Sequence, residues 1–447
     1  MMKYNSYKDS EIDWLGEVPS TWQVLRVKDI TKKIGSGVTP KGGSEVYVDS
    51  GIPLLRSQNV YDDGLRIEDV SFIDEETHQK MKNSQLKPFD ILINITGASI
   101  GRTCAVPETL PAANINQHII FIRMKKSLVP YASYYFKSNT LKEYINLIQA
   151  GSSKEALNMG QTLSTSILLP NEKEQNAIAE YLDTKTQAID KKVSLLEKKI
   201  GYYQELRKSL INETVTKGLD KNVELQTNEL GFATPKKWLS NRLKDLGSLY
   251  SGLSGKSGDD FNQDDNPDNK GFIPFTNIAN NTYLKRDHLG TVVVYEGEKQ
   301  NRVRKGDMFF LMSSEGYEDI GKSSALAEDI EETYLNSFCK GYRVNPRKTN
   351  PYFLNYLMLS VYYRQLLIVE GKGFTRINLK MEKVNDFLVY IPDSLSTQKE
   401  IVKFLDAKLD TIAKIITNIQ TQISTLKELR KTLINDVVTG KIKVSHE

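Results

Sequence analysis

The sequence offers few of the side chains that enzymes use for nucleophilic, acid–base or metal chemistry. No GxxxxGK[ST] phosphate loop is present, and residues 254–257 carry only the end of that motif. We interpret residues 254–257 as a flexible loop. None of the histidines has a metal-ligand spacing to cysteine or carboxylate residues; they are His78, His118, His288 and His446. The sequence therefore predicts no catalytic centre and no metal site.

Two short segments approach known catalytic motifs, and both have simpler explanations. Residues 350–353 (Asn-Pro-Tyr-Phe) come close to the tetrapeptide of amino-methyltransferases but have one proline where that motif has two. Their counterpart at 129–132 (Val-Pro-Tyr-Ala) indicates a helix start, where proline is favoured. Pro267 and Asp268 with residues 370–372 fit a nuclease pattern only across a long separation, and the first half of the chain lacks it. There is also no convincing glycine-rich loop for S-adenosylmethionine.

An internal repeat is the strongest feature of the sequence. Trp22 returns as Trp238, and residues 205–213 (Glu-Leu-Arg-Lys-Ser-Leu-Ile-Asn-Glu) return as residues 428–436 with two conservative changes. The unit is much longer than a solenoid repeat, so each copy must hold a domain and a connector. Two such copies predict an internal pseudo-two-fold and a partner that is itself close to two-fold symmetric.

The composition is typical of a soluble globular protein with a charge-rich helical part. The chain has 447 residues, of which 39% are hydrophobic and 26% charged, and this length allows two or three cores. The net charge of +4 is small, so a nucleic-acid surface would have to be a local patch. Residues 1–14 are polar and predict no signal peptide, and the apolar run 352–369 favours a core helix over a membrane span. Cys104 and Cys339 are expected to be reduced, buried thiols.

Each half is predicted to begin with a loop-rich α+β domain. One helix is expected inside each domain, at about 131–148 and 352–369. The predicted boundaries are 1–171 and 223–393 for the two domains, and 172–222 and 394–447 for the two connectors. Short apolar runs punctuated by Gly, Pro, Asn and Asp indicate strands at 91–95, 119–122, 167–169, 292–295, 308–311 and 387–390.

Both connectors have the pattern of a long helix. Asn171 with Glu174, and Thr397 with Glu400, offer capping boxes at the starts, and Gly218 and Gly440 follow the last turns. Apolar residues recur at steps of three and four, and the expected helix-pair seam includes Ile189, Leu196, Tyr203, Leu210, Ile412, Ile419, Leu426 and Leu433. About 40 residues make a rod of roughly 60 Å. We expect an antiparallel coiled-coil pair that holds the two domains apart; the alternative is that each helix docks separately on its own domain.

The order of parts resembles the specificity subunits of type I restriction–modification systems. The resemblance covers essentially the whole chain and rests on residues 7–10, 14–19 and Trp22, on residues 96–102, on the helix entries at Gln175 and Gln398, and on the repeated helix exits. It implies two similar target-recognition domains separated by two long antiparallel helices. Divergence between the copies, at 316–321 and 259–270, is what two domains that read different sequences would show.

The resemblance also implies the partners and cofactors. Each domain would read one half of a bipartite target in double-stranded DNA, and the helices would dock two modification (methyltransferase) subunits. Restriction (motor–nuclease) subunits would complete the assembly in the cytoplasm of a bacterium or archaeon. The chain itself would bind no cofactor, because S-adenosylmethionine belongs to the modification subunit and ATP and Mg belong to the motor–nuclease subunit.

Polar, glycine-flanked loops can reach base edges from a rigid sheet, and we expect the DNA-binding residues to lie on them. Arg56 and Arg376 stand out, because a guanidinium can grip guanine in bidentate fashion. Phe374 would stack on a base or simply fill a core position. The candidates are Arg56, Ser57, Asn59, Thr96, Ser99, Arg102, Gln117, Ser152, Ser153 and Lys154 in the first domain, and Thr276, Asn277, Ser314, Lys372, Phe374, Thr375 and Arg376 in the second.

Two other functions remain open at the level of sequence. An interaction scaffold could use the same two-domain arrangement on proteins, and sequence-specific competition by DNA would distinguish it from a specificity subunit. An enzyme in its own right would transfer methyl groups from the cofactor without a partner.

Overall fold

The computed structural model describes residues 2–149, 156–263, 265–373 and 375–444. The chain divides into two compact units, one of residues 1–197 and 420–447 and the other of residues 198–419. Each unit therefore contains one domain, the first part of the long helix that follows it, and the last part of the long helix of the other repeat.

The first domain is built from short strands around a few helices. Its strands are β1 (Tyr7–Asp9), β2 (Glu17–Pro19), β3 (Gln23–Arg26), β4 (Thr31–Ser36), β5 (Ile52–Leu55), β6 (Val60–Tyr61), β7 (Gly64–Leu65), β8 (Ser71–Ile73), β9 (Ile91–Asn94), β10 (Thr103–Ala105), β11 (Asn114–Ile115), β12 (Ile119–Met124) and β13 (Ser166–Leu169). Its helices are α1 (Val27–Ile30), α2 (Glu75–Lys80), α3 (Val129–Phe136), α4 (Asn139–Gln149) and α5 (Met159–Ser164), and the long α6 (Glu172–Lys217) follows.

The second domain repeats this plan. Its strands are β14 (Leu225–Thr227), β15 (Ala233–Pro235), β16 (Leu239–Arg242), β17 (Gly247–Ser251), β18 (Asn269–Ile273), β19 (Gly290–Val293), β20 (Asp307–Leu311), β21 (Ser313–Ser314), β22 (Ser323–Ala325), β23 (Thr333–Leu335), β24 (Cys339–Val344), β25 (Ile377–Asn378) and β26 (Leu388–Ile391). Its helices are α7 (Leu243–Leu246), α8 (Phe275–Asn280), α9 (Pro351–Leu359), α10 (Val361–Glu370) and α11 (Met381–Asn385), and the long α12 (Leu395–Val438) follows.

The sheets of the two domains have the same strand order. A four-stranded antiparallel sheet runs β10-β9-β12-β4 in the first domain and β22-β20-β24-β17 in the second. A three-stranded sheet contains one parallel pair, β5 with β11 and β18 with β23. The chain enters and leaves each domain through an antiparallel pair, β3 with β13 and β16 with β26. The repeat in the sequence is therefore a repeat of topology.

Both faces of each four-stranded sheet are covered. Successive side chains of a strand point to opposite faces, and Ile120 and Ile122 of β12 pack in one cluster while Ile119 and Phe121 pack in another. On β20 of the second domain, Met308 and Phe310 likewise pack in one cluster, and Phe309 and Leu311 pack in another. This burial on both sides explains why the strands read as continuous apolar runs rather than alternating ones.

A buried ion pair fixes the start of the central strand in each domain. Asp90 is fully buried and accepts hydrogen bonds from Arg123 Nε at 2.7 Å and from a terminal guanidinium nitrogen at 2.6 Å. Asp307 accepts the equivalent bonds from Arg343 at 3.0 and 2.7 Å. Two parallel N–H donors on one carboxylate make the geometry bidentate, which satisfies the buried charge.

The expectation of a single helix inside each domain was wrong. The predicted helix at 131–148 is divided into α3 and α4, and the one at 352–369 into α9 and α10. Ser360 ends α9 with an extended backbone, φ −68° and ψ 153°. The run is apolar on either side of this serine, so hydrophobic periodicity continued through a break that the backbone makes.

The two long helices, of 46 and 44 residues, pair antiparallel within the first unit. Asp190 of α6 lies 3.0 Å from Arg430 of α12, and Glu197 lies 3.5 Å from Lys427, so rising numbers on α6 meet falling numbers on α12. In the second unit, Tyr203 and Leu210 of α6 belong to the same core cluster as Ile412 of α12. All eight seam residues are buried or half-buried.

The ends of the long helices agree with the sequence in three of four places. Asn171 Oδ1 accepts from Glu174 N at 3.0 Å, as the capping pattern predicts. Gly218 and Gly440 follow the helices with φ of +81° and +73°, the left-handed conformation that glycine adopts readily. The start predicted at Thr397 was wrong: α12 begins at Leu395, and Ser394 Oγ accepts from Ser396 N at 3.2 Å.

Candidate nucleic-acid interface

A glycine in each domain lets two loops approach closely. A Cβ on Gly37 would lie 2.0 Å from the carbonyl oxygen of Asn116, and one on Gly252 would lie 2.1 Å from that of Asn336. No L side chain fits at that distance. The loops after β4 and before β12, and after β17 and before β24, are therefore held together by backbone contact. The polar residues on them are presented as one surface.

Three loops of the first domain, those after β4, after β9 and before β12, are joined by side-chain hydrogen bonds. Thr39 Oγ1 donates to Gln117 Oε1 at 2.5 Å, Gln117 Nε2 lies 3.1 Å from His118 Nε2, and His118 Nδ1 lies 2.8 Å from Thr96 Oγ1. Gln117 is exposed. The chain of bonds orders the predicted residues Thr96 and Gln117 before any ligand arrives. It also gives His118, which the sequence did not single out, a positioning role.

Two predicted base contacts hold loops instead. Asn59 is buried; its Oδ1 accepts from Arg56 N at 2.9 Å and its Nδ2 donates to Arg66 O at 2.8 Å. Asn277 is the equivalent residue, fully buried in α8, and its amide group donates to Lys285 O at 2.9 Å and accepts from Lys285 N at 3.1 Å. Because their amide groups are occupied by backbone, we correct both from base-reading to loop-positioning residues.

Several other candidates in the first domain are partly occupied. Ser57 O and Ser99 Oγ accept from Asn94 Nδ2 at 2.8 and 3.2 Å. The guanidinium of Arg102 lies over the ring of Tyr61 at 4.9 Å, where a cation–π contact holds it. Arg56 is half-buried, and its Nε has no hydrogen-bond partner in the described part of the chain. That nitrogen is itself buried, so a base contact by Arg56 would have to come from its terminal guanidinium nitrogens.

The second domain carries an open cavity of about 450 Å³ beside the equivalent loops. Its lining includes Phe275, Ser314, Glu315, Phe338 and Arg376. Ser314 is buried in the β21–β25 ladder, and Arg376 is exposed with its guanidinium 4.9 Å from the Phe338 ring. The structure thus brings Ser314 and Arg376 together, far apart as they are in the sequence.

The remaining candidates lie at the surface or outside the description. Thr276, Lys372 and Thr375 are exposed, although Thr276 belongs to helix α8 and not to a loop. Ser152, Ser153, Lys154 and Phe374 lie outside the described residues. Sequence reasoning missed Glu315 and Phe338. The length difference between the repeats around 316–321 was the available signal for Glu315, and alignment of Asn336 with Asn116 was the signal for Phe338.

The long helices are attached to the domains by equivalent tyrosines. Tyr134 donates to Asp183 Oδ1 of α6 at 2.6 Å, and Tyr356 donates to Asp406 Oδ1 of α12 at 2.6 Å. Burial and the hydrogen bond to the carboxylate raise the pKa of both phenols above their ordinary value. Each domain is thereby tied to the start of the helix that follows it, which combines the paired and the separately docked arrangements considered above.

The described residues contain little that resembles a catalytic site. His78 is buried and bonded to Asn114 at 2.5 Å. Burial raises the pKa of the Cys104 and Cys339 thiols to about 12, so neither is an activated nucleophile. Within the described residues, no group of three or more His, Cys, Asp or Glu side chains could hold a metal ion. No helix in this part of the chain is long and apolar enough to cross a membrane.

Comparisons with known proteins place the chain in a family. The model of the type I restriction modification DNA specificity domain matches it twice, at residues 19–198 and 235–425. The type I restriction enzyme MjaIX specificity subunit of Methanocaldococcus jannaschii is 25% identical, over 98% of this chain and 96% of that protein. The EcoBI specificity subunit of Escherichia coli is 24% identical, over 96% and 89%.

Solved structures show the same fold. The HsdS subunit from Thermoanaerobacter tengcongensis matches with a TM-score of 0.54 and 14% identity, over 95% of this chain and 98% of that one. A chain from a study of assembly and conformational transition in the type I R-M system matches with a TM-score of 0.70 and 14% identity, over 95% and 99%. With two copies of the specificity domain on one repeated topology, this protein belongs to the family of type I restriction–modification DNA specificity subunits.

Proposed function

We propose that this chain is the DNA-recognition subunit of a type I restriction–modification complex and that each domain reads one half of a bipartite target. The observation that carries the proposal is the repeated scaffold with unlike loops. Gly37 and Gly252 hold equivalent loops against equivalent strands, yet His118 in one domain corresponds to Phe338 in the other. Identical supports with different reading groups suit a target whose two halves differ in sequence.

The chain would recognise DNA without catalysing a reaction. Phosphate contacts would fix its register, and loop side chains such as Arg56, Gln117 and Arg376 would read base edges in the major groove. Two modification subunits would dock on the paired helices and supply S-adenosylmethionine and methyl transfer. Restriction subunits would supply ATP- and Mg-dependent translocation and cleavage.

The long helices would set the gap between the half-sites. A helix of 46 residues spans roughly 70 Å at about 1.5 Å per residue. Half-sites one DNA turn apart are separated by ~34–36 Å. A rod of this length is compatible with two half-sites and a few unread base pairs between them.

Competition binding tests the function. The chain, purified with its modification subunits, is mixed with a labelled duplex that contains its methylation motif, and binding is followed by gel shift. We expect an unlabelled duplex of the same sequence to compete and a scrambled duplex of the same composition to fail at moderate salt. Equal competition by both duplexes would contradict sequence recognition and favour a protein scaffold.

A further inference from the structure

One loop of the second domain differs from its counterpart in a chemically specific way. The hairpins β9–β10 and β20–β22 close with the same pair of backbone bonds: Asn94 N to Arg102 O at 2.9 Å, and Leu311 N to Lys322 O at 3.0 Å. Between these closures, residues 95–100 of the first domain contain no carboxylate, whereas the longer loop 312–320 contains Glu315, Glu318 and Asp319. The extra length of the second loop thus introduces negative charge beside the candidate DNA-reading surface.

The ladder β21–β25 places one of these carboxylates opposite the best base-reading candidate. Ser314 pairs with Ile377 in antiparallel register, so the next residues along the two strands are Glu315 and Arg376. Both are exposed and both line the cavity of about 450 Å³. No ion pair joins their side chains in the described part of the chain; Arg376 lies instead over Phe338, 4.9 Å from the ring centre. One cationic and one anionic side chain are therefore exposed on the same wall of the cavity.

Asp319 and Glu318 are less suitable as reading groups. Asp319 is paired with Lys322 at 2.6 Å, and both side chains are about one-third exposed. The backbone carbonyl of Glu318 accepts from Arg364 at 3.0 Å, which anchors that end of the loop. Glu315 has neither restraint and is the carboxylate nearest to Arg376 along the ladder.

The chemistry of base edges selects a ligand for this pair. The phosphates of DNA repel a carboxylate that faces them. Only a hydrogen-bond donor on the DNA can offset this repulsion. In the major groove the donors are the amino groups of cytosine and adenine, and carboxylates accept from cytosine N4. Arginine fits guanine O6 and N7. Resting on the proposed function, we propose that Glu315 and Arg376 together read one G·C pair of the half-site bound by the second domain. Arg376 reads the guanine and Glu315 accepts from N4 of the cytosine.

The test removes one amino group from the DNA and one carboxylate from the protein. The methylation motif of the complex with its modification subunits is determined first. Each cytosine of the motif is then replaced in turn by its 2-pyrimidinone analogue, which lacks the N4 amino group, and methylation rates are measured with the wild type and with Glu315→Ala. Glu296→Ala is the matched control, because Glu296 is exposed in the same domain and lies away from the cavity.

At one cytosine, the analogue should slow the wild type about 5- to 150-fold, the range of a good base contact. The analogue should not reduce the methylation rate of Glu315→Ala any further, whereas Glu296→Ala should show the same reduction as the wild type. The proposal is overturned if no cytosine of the motif shows a penalty, or if the penalty is the same in Glu315→Ala as in the wild type. Absence of any defined methylation motif would instead overturn the proposed function itself.

Discussion

Asn435 Oδ1 accepts hydrogen bonds from both the backbone N–H of Thr140 at 2.9 Å and its hydroxyl at 2.8 Å. Asn435 is near the end of α12, and Thr140 is in the first turn of α4, so the end of the second long helix caps a helix of the first domain. Asn212, near the end of α6, makes the equivalent contact to Tyr362 N at 3.4 Å. The repeated Leu-Ile-Asn of the two helix ends is therefore a docking element for the domain of the other repeat.

Replacing this cap should destabilise the first unit. The first N–H groups of a helix have no partner within it, and loss of a capping side chain costs about 0.5–2 kcal/mol. We expect Asn435→Ala to lower the free energy of unfolding by about 1 kcal/mol, with faster amide exchange in α4. Asn212→Ala should have less than half that effect, because its contact is longer. Equal losses in chemical denaturation would refute the capping role.

The buried ion pair at Asp90 should matter far more than an exposed one. Asp90→Ala leaves the Arg123 guanidinium without its bidentate partner, and breaking a buried pair costs about 3–5 kcal/mol. Asp63→Ala breaks the exposed pair with Arg66 and should cost less than about 1 kcal/mol. Urea unfolding of both variants gives the comparison, and a loss for Asp90→Ala no larger than that for Asp63→Ala would contradict this account of the sheet.

Stability should fall at alkaline pH. Burial raises the pKa of Tyr131, Tyr135 and Tyr363 above the ordinary value near 10. The folded state then keeps protons that the unfolded state releases, so the stabilisation is complete below about pH 10 and declines as the pH rises further. Exposed tyrosines such as Tyr202 ionise in the folded protein, whereas the tyrosinate absorbance of the buried tyrosines should appear together with loss of circular dichroism. Ionisation of the buried tyrosines before any loss of circular dichroism would be the contrary result.

The close approach at Gly37 should be necessary for reading one half-site. Gly37→Ala places a Cβ against the Asn116 carbonyl and must displace the loop that carries Gln117. We expect a loss of discrimination in one half of the motif, measured by methylation of a randomised library. Gly201→Ala is the control, because nothing lies within 4 Å of its Cβ and alanine should stabilise helix α6 by about 0.5–1 kcal/mol. Unchanged discrimination in Gly37→Ala would argue against this loop as a reader.

Much of the fold could be predicted from the sequence because its pattern occurs in two copies. The strand runs at 91–95 and 308–311 are buried on both faces, and the long helices keep an uninterrupted seam, so hydrophobic pattern alone predicts them. Ser360 and Ser394 were harder to predict. The break between two apolar helices at Ser360, and the cap at Ser394 three residues before the predicted Thr397, leave no change in the hydrophobic periodicity.

The site was less accessible, for a physical reason. Asn59 and Gln117 both occur in polar loops, and composition does not distinguish an amide group that is bonded to backbone from one that faces solvent. The opposition of Glu315 and Arg376 depends on a two-residue ladder between distant segments, and no local pattern encodes it.

The central claim is that the two domains read separate half-sites at a spacing set by the long helices. It is tested most directly by single-molecule mapping of methylated bases in DNA modified by the complete complex. The account predicts two short specified blocks separated by a fixed number of unspecified pairs, and removal of one heptad from each long helix, about 10 Å, should abolish methylation at that motif. One continuous motif, or an unchanged motif after the heptads are removed, would contradict it.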